Sequence, residues 1–268
     1  HTLDEYTEEH QMYDFRLVST LGFDETDADK VAADARVAVC EGEKSADALA
    51  TVAGGAAKPC RFISMPSQLD MPGLTCGRMP QTEEECLADA LLYSEADLGK
   101  KVILTEKNDE DTLEDFSRRE FTIVGITKSV LYINYERGST SVGSGTISSF
   151  VYVLPEAFTT DYDTALYLRL ADREGEVYSS EYTACIDAAE PWVKQLAEDT
   201  ARARTDRIYD EAAQTLSDAR VTLDEKQQEL SDAKQKLADA KQELADAKQT
   251  YQDGEVKLAD AKREAEQE

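Results

Sequence analysis

Along the last third of the chain apolar residues recur every seven positions: Leu216, Leu223, Leu230, Leu237, Leu244, Tyr251, Leu258 and Ala265. Most are followed three positions later by a small residue: Ala219, Ala233, Ala240, Ala247, Gly254 and Ala261, with Lys226 the exception. Spacings of three then four define a heptad, with the Leu series at a and the Ala series at d. The intervening positions are mostly Asp, Lys, Gln and Glu, and no proline follows Pro191. The pattern predicts a long coiled-coil helix over residues 187–268. Alanine at d, with Ala238, Ala245 and Ala259 at b, makes a thin face that allows close approach but buries little area. Glu243 at g and Lys248 at e suit a parallel self-pair; Lys236 and Lys241 do not, and an antiparallel partner of different sequence fits as well. The heptads run to Glu268 with no stop signal, so the helix is expected to be the ascending half of a hairpin whose returning helix lies further along the native chain.

Upstream the pattern is shorter in period. Residues 1–12 are a polar lead-in. Residues 14–20 alternate as a half-buried strand that Gly22 breaks. Thr26 or Asp27 is expected to cap a helix over 28–36, followed by a strand at 37–39. Residues 45–52 read as a helix or helical turn stopped by Gly54-Gly55, and 60–64 as a strand. Strand–helix–strand in this order marks an α/β or α+β sandwich. Pro66, Pro72, Gly73, Gly77 and Pro80 then set a subdomain boundary. Residues 85–92 fit helix or strand, 98–100 a turn, 101–105 a strand, and 108–115 an acidic loop. Residues 119–129 form the strongest strand, with Phe121, Ile123 and Ile126 inward and Gly125 at a bulge or bend. Residues 131–135 continue it. A Gly/Ser loop at 138–145 and strands at 147–154 and 165–170 follow. Ser179 or Ser180 caps the next helix, which Pro191 either kinks or reopens.

Charge narrows the partners. The chain has 268 residues and a net charge of −27, from 56 acidic and 29 basic residues. Such a surface repels nucleic acid and anionic headgroups. No stretch approaches the ~20 apolar residues of a membrane span. Cys76 and Cys86 bracket a short Gly/Pro-containing loop, and Cys40 and Cys60 flank strand-like stretches. Each pair is a disulfide candidate, the alternative being reduced, buried thiols. Cys185 is left over. No CxxC pair or nearby histidine supports a metal site.

Catalytic chemistry finds no foothold. Gly138 and Gly143 have P-loop spacing, but Ser144 and Gly145 occupy the Lys and Ser/Thr slots. His1 and His10 both lie in the lead-in, where no buried triad base can form. Tyr132, Tyr135, Tyr152, Tyr162 and Tyr167 read as core or cross-strand residues. No catalytic, cofactor-binding or metal-binding residue is assigned.

Several phrases, in order, resemble the extracytoplasmic domain of MacB/FtsX-type ABC transporter permeases. They are Gly77-Arg78-Met79-Pro80, Glu85-Cys86-Leu87, Leu98-Gly99, Phe121-Thr122-Ile123-Val124-Gly125-Ile126, Tyr132-Ile133, Glu136-Arg137-Gly138, and Phe150-Val151-Tyr152-Val153 leading to Phe158. The resemblance covers about residues 14–185. It implies an α+β fold: a porter-like α/β subdomain from 1–66 and 147–186, a smaller β-rich one at 67–146, then the coil. It further implies a non-enzymatic, cofactor-free domain on the extracytoplasmic face of the cell membrane, anchored by transmembrane helices absent from this chain. The partners would be a cytoplasmic ABC ATPase subunit and a second permease copy or domain. ATP hydrolysis there would drive export, or activate an extracellular partner, by mechanotransmission. The heptad helix departs from typical members but resembles some from Gram-positive bacteria. At ~1.5 Å per residue, residues 191–268 extend on the order of 115 Å, enough to present a site to an extracellular protein or cell-wall partner. The alternative is a surface head-and-coil structural or adhesion protein without transport.

Overall fold

The computed structural model describes residues 11–132, 136–177 and 179–266. Residues 1–10 of the lead-in, with His1 and His10, and residues 133–135 including Tyr135, lie outside them. The fold is α+β and divides into two units, His1–Thr205 and Asp206–Glu268.

In the first unit, β1 (Phe15–Phe23), α1 (Glu25–Ala32) and β2 (Val37–Glu43) form the expected strand–helix–strand. β1 and β2 are both antiparallel to β10 (Asp163–Leu170), which lies between them in a three-stranded sheet. Alternation along β10 sorts its faces. Leu166, Leu168 and Leu170 join Leu17, Phe23 and Val31 under α1 and the first turns of the long helix, where Ala189 and Val193 are buried. Ala165 and Tyr167 face the other way, against Leu69 and Tyr13. Gly22 does not end β1. It sits at positive φ within a register shift, where a Cβ would strike the Tyr162 ring. The helix cap is Asp24, one turn before the expected Asp27. Asp27 N–H donates to Asp24 Oδ1 (2.9 Å) and Asp24 N–H to Asp27 Oδ2 (3.1 Å), a reciprocal capping box.

The second sheet runs β5 (Gly73–Gly77), β8 (Glu120–Lys128), β6 (Glu85–Asp89), β9 (Ser149–Val153), β4 (Lys58–Ser64), β3 (Ser45–Val52) and β7 (Lys101–Leu104). β7 also pairs with β8, so the strands from β8 round to β7 close into a ring, with β5 outside it on β8. Closure removes most free edges. Phe62, Phe116 and Phe121 meet at its centre, with centroids 5.0 Å (Phe62–Phe116) and 5.7 Å (Phe62–Phe121) apart. As expected from alternation, Phe121, Ile123 and Ile126 point inward, and the register shifts at Gly125.

Residues 45–52 are a strand, not a helix. Their alanines carry helix propensity, but Ala48 and Ala50 alternate into the crowded ring interior, where tertiary pairing overrides it. Residues 85–89 resolve as strand β6. The acidic 108–115 segment contains a short helix, α2 (Glu110–Glu114), capped by Asp109, whose Oδ1 accepts from Thr112 N–H at 2.7 Å. After β8 the chain turns through a 3-10 segment, Val130–Tyr132, rather than extending. Sheet membership cuts across the ranges 1–66, 67–146 and 147–186, because β3, β4 and β9 pair in the same ring as β6 and β8.

Neither candidate disulfide is present; all five cysteines are free. Cys76 on β5 and Cys86 on β6 flank β8 on opposite sides. Two strand spacings make about 9–10 Å, beyond the ~7 Å Cα limit of a disulfide. Cys40 lies in the three-stranded sheet and Cys60 in the ring. Burial pushes the Cys60 thiol up to about 12 and the Cys86 thiol up as well. A thiol reagent is expected to leave Cys60 and Cys86 unmodified in the native chain and to titrate all five cysteines in denaturant without reductant. A titre short by two thiols would restore a disulfide.

The long helix, α3 (Ser180–Ala265), is capped by Ser179, whose Oγ accepts from Tyr182 N–H at 3.0 Å, and holds Pro191 within it. Among the described residues no helix is long and apolar enough to cross a membrane.

Candidate functional site

The second unit is helix alone, and its heptad residues are bare. Leu216, Leu223, Leu230, Leu237, Leu244, Tyr251 and Leu258 are each more than half exposed, and Ala219, Ala233, Ala240, Ala247 and Ala261 are exposed beside them. Burying a leucine contributes about 1.5–3 kcal/mol, none of which this unit collects by itself. What supports the helix locally is a polar ladder on the opposite face. Gln214, Gln228, Gln235, Gln242 and Gln249 each donate from Nε2 to the aspartate four residues on, at 2.8–2.9 Å. Such i,i+4 pairs are worth ~0.2–0.5 kcal/mol each. The heptad therefore has two jobs: c and f positions hold the helix together, and a and d remain free.

Charge beside the seam is directional. The e row is mainly basic (Arg220, Lys234, Lys241, Lys248, Lys262), and the c row is acidic throughout. An antiparallel copy would set e against e, basic on basic. A parallel copy matches Glu229 with Lys234 and Glu243 with Lys248, but opposes Lys236 to Lys241 and Lys257 to Lys262. A partner helix with an acidic flank meets neither conflict.

In the first unit, phrases far apart in sequence meet on β8. Gly77 on β5 pairs with Gly125 on β8. A Cβ at Gly77 would strike the Val124 carbonyl, and one at Gly125 the Arg78 carbonyl, so both positions need glycine. Arg78 N–H donates to Val124 O (3.0 Å), and Gly99 N–H to Ile123 O (2.8 Å). The Arg78 guanidinium grips Glu85 and holds its carboxyl down to about 2. Arg137, after the turn, forms a buried bidentate pair with Asp89 on β6 (2.6 and 2.9 Å) and lies over the Phe150 ring. These residues hold backbones together, and Arg137 also borders an open cleft shared with Arg16 and Arg61.

A carboxylate latch ties β2 of the three-stranded sheet to the segment that follows β4 of the ring. Glu41 on β2 accepts from Ser67 N–H and O–H, Gln68 N–H and Leu69 N–H, the last at 2.6 Å. Glu41→Gln is expected to cost about 1–3 kcal/mol in urea unfolding followed by the fluorescence of Trp192; an unchanged midpoint would show that the latch is idle. Beside it lie two buried acids. Burial raises the Glu43 carboxyl, opposed by Arg16 and by the Tyr167 hydroxyl, which donates at 2.9 Å. Burial, with Glu41 and Glu43 nearby, pushes Asp70 up to about 7. The sequence carried no signal for this cluster: the expected strand at 37–39 stopped short of Glu41 and Glu43, which lie inside β2 as it forms.

No protein-family model matches the chain, and no curated protein matches it. Among solved structures it is similar to the periplasmic region of MacB from Actinobacillus actinomycetemcomitans, at 13% identity over 66% of this chain and 75% of that one, with a TM-score of 0.38. It is also similar to the extracellular domain of the noncanonic ABC-type transporter YknZ from Gram-positive bacteria (12%, 63% and 80%, TM-score 0.37). A domain of a putative permease protein from Porphyromonas gingivalis is a third (15%, 66% and 78%, TM-score 0.36).

Proposed function

We propose that this chain is the extracytoplasmic domain of an ABC transporter permease subunit of MacB/FtsX type. In this reading it sits at the outer face of the cell membrane and carries no catalytic residue. A separate cytoplasmic subunit hydrolyses ATP, and this domain passes the resulting motion to a transported substrate or an extracellular partner. The observation that carries the reading is the meeting of the resembling phrases on β8. Gly77-Arg78, Glu85, Leu98-Gly99 and Val124-Gly125 are scattered in sequence yet brace one another. That is the behaviour of a fold signature rather than of chance likeness.

The second unit supplies the contact surface in this reading. Its seam, from Leu216 to Ala261, takes one helix of the transporter assembly or its extracellular partner, with an acidic flank lying along the basic e row. A membrane-impermeant amine reagent applied to intact cells tests the placement. Exposed Lys234, Lys241 and Lys248 are expected to be modified as fully in intact as in lysed cells. Modification only after lysis would place the domain in the cytoplasm and end the reading.

A further inference from the structure

The proposed transporter role leaves unused a cleft of about 270 Å³ in the first unit, bordered by Tyr13, Arg16, Glu43, Arg61, Tyr132 and Tyr167. Arg16 enters from β1, opposite Tyr167 in register, with its guanidinium 5.5 Å from that ring's centroid. Its one ion-pair partner among the described residues is Glu43 at 3.7 Å, too long for a hydrogen bond, and its side chain is 41% exposed. The donors of Arg16 are therefore available to an incoming group. Arg61 enters from β4. Asp47 occupies its Nε (2.7 Å) and Nη2 (2.8 Å), and the Tyr132 hydroxyl also hydrogen-bonds the guanidinium. Gly138 lies beside the guanidinium, where a Cβ would sit in ordinary contact at 3.9 Å; its φ of 99° is what calls for glycine. Tyr132 stacks on Phe150 at 4.9 Å and Tyr13 meets Tyr167 edge-on at 4.9 Å, so the walls are aromatic and braced.

A chain with a net charge of −27 thus gathers arginines and tyrosines around one opening. Guanidinium forks match planar oxyanions. Glu43 and Glu136 also border the cleft and disfavour a dianion. The volume admits roughly one or two residues of a peptide, not a folded partner. We propose that this cleft binds the terminal carboxylate of a peptide, with Arg16 and the Arg61 guanidinium on the carboxylate and the Tyr132 and Tyr167 rings against the last side chain.

The test is calorimetric titration of the whole chain at low ionic strength with N-acetyl-alanyl-tyrosine, its C-terminal amide, and inorganic phosphate. The free acid is expected to bind roughly tenfold or more tightly than the amide, and more tightly than phosphate. Arg16→Gln is expected to diminish the acid–amide difference in a chain that still unfolds cooperatively in urea. The acid–amide comparison on the unaltered chain needs no variant to fold. Equal binding of acid and amide, binding of neither, tighter binding of phosphate, or an undiminished preference in Arg16→Gln would each overturn the proposal.

Discussion

Asp70→Asn is expected to stabilise the chain at pH 8 by on the order of 4 kcal/mol, since each pKa unit is worth about 1.4 kcal/mol and burial lifts Asp70 from 3.8 to about 7. Asp70 is 4% exposed. Its Oδ1 takes one long bond from Tyr13 N–H (3.4 Å), and its Oδ2 has no hydrogen-bond partner. Its φ of 53° is left-handed, a region asparagine tolerates, so the substitution removes charge without adding backbone strain. The sign follows from proton uptake. The folded chain holds the Asp70 proton up to about pH 7, while the unfolded chain releases it near pH 4. Stability therefore falls as pH rises through that window and stays lower above it. Asp70→Asn should match the parent at pH 4, pull ahead between pH 4 and 7, and hold its lead at pH 8. Urea unfolding at those values checks this. A variant less stable than the parent at pH 8 would show that the ionised carboxylate is needed.

Phe121→Ala is expected to cost about 3–5 kcal/mol, whereas Leu237→Ala in the same chain should change stability by no more than about 0.5 kcal/mol. Phe121 is fully buried between Phe62 and Phe116, and its loss leaves a cavity that the closed ring cannot collapse to fill. Leu237 is larger than any surface role requires but is 56% exposed. The contrast separates a residue that holds the fold from one that waits for a partner. In an assembled complex the order should narrow, because Leu237 would then lose its buried area too. A large loss from Leu237→Ala in the isolated chain would mean that the seam is already covered, as in self-association.

What the sequence disclosed followed how locally each feature is encoded. The heptads of α3 and the alternation of β8 are periodic signals, and both elements form where expected. Residues 45–52 misled because alanine favours helix in isolation, while the ring asks for small residues at Ala48 and Ala50. Cys76 and Cys86 look adjacent because they are close in sequence; β8, inserted between their strands from much later in the chain, separates them. The latch from Glu41 to residues 67–69 and the approach of Arg16 to Glu43 join segments 26 to 28 residues apart. No local pattern announces such pairs, and the expected strand at 37–39 stopped short of both glutamates. The phrases around Gly77, Glu85 and Gly125 were legible as a resemblance, and the structure supplies their physical reason: backbones too close for any side chain.

The most direct test of the transporter reading is to extract the full-length protein from its own membranes in mild detergent and identify what accompanies it. The account predicts a stoichiometric ATPase subunit with a phosphate-binding P-loop, and ATP turnover by the pair. Recovery from the soluble or cell-wall fraction, with no ATPase bound, would contradict it and leave a surface head with a pairing coil.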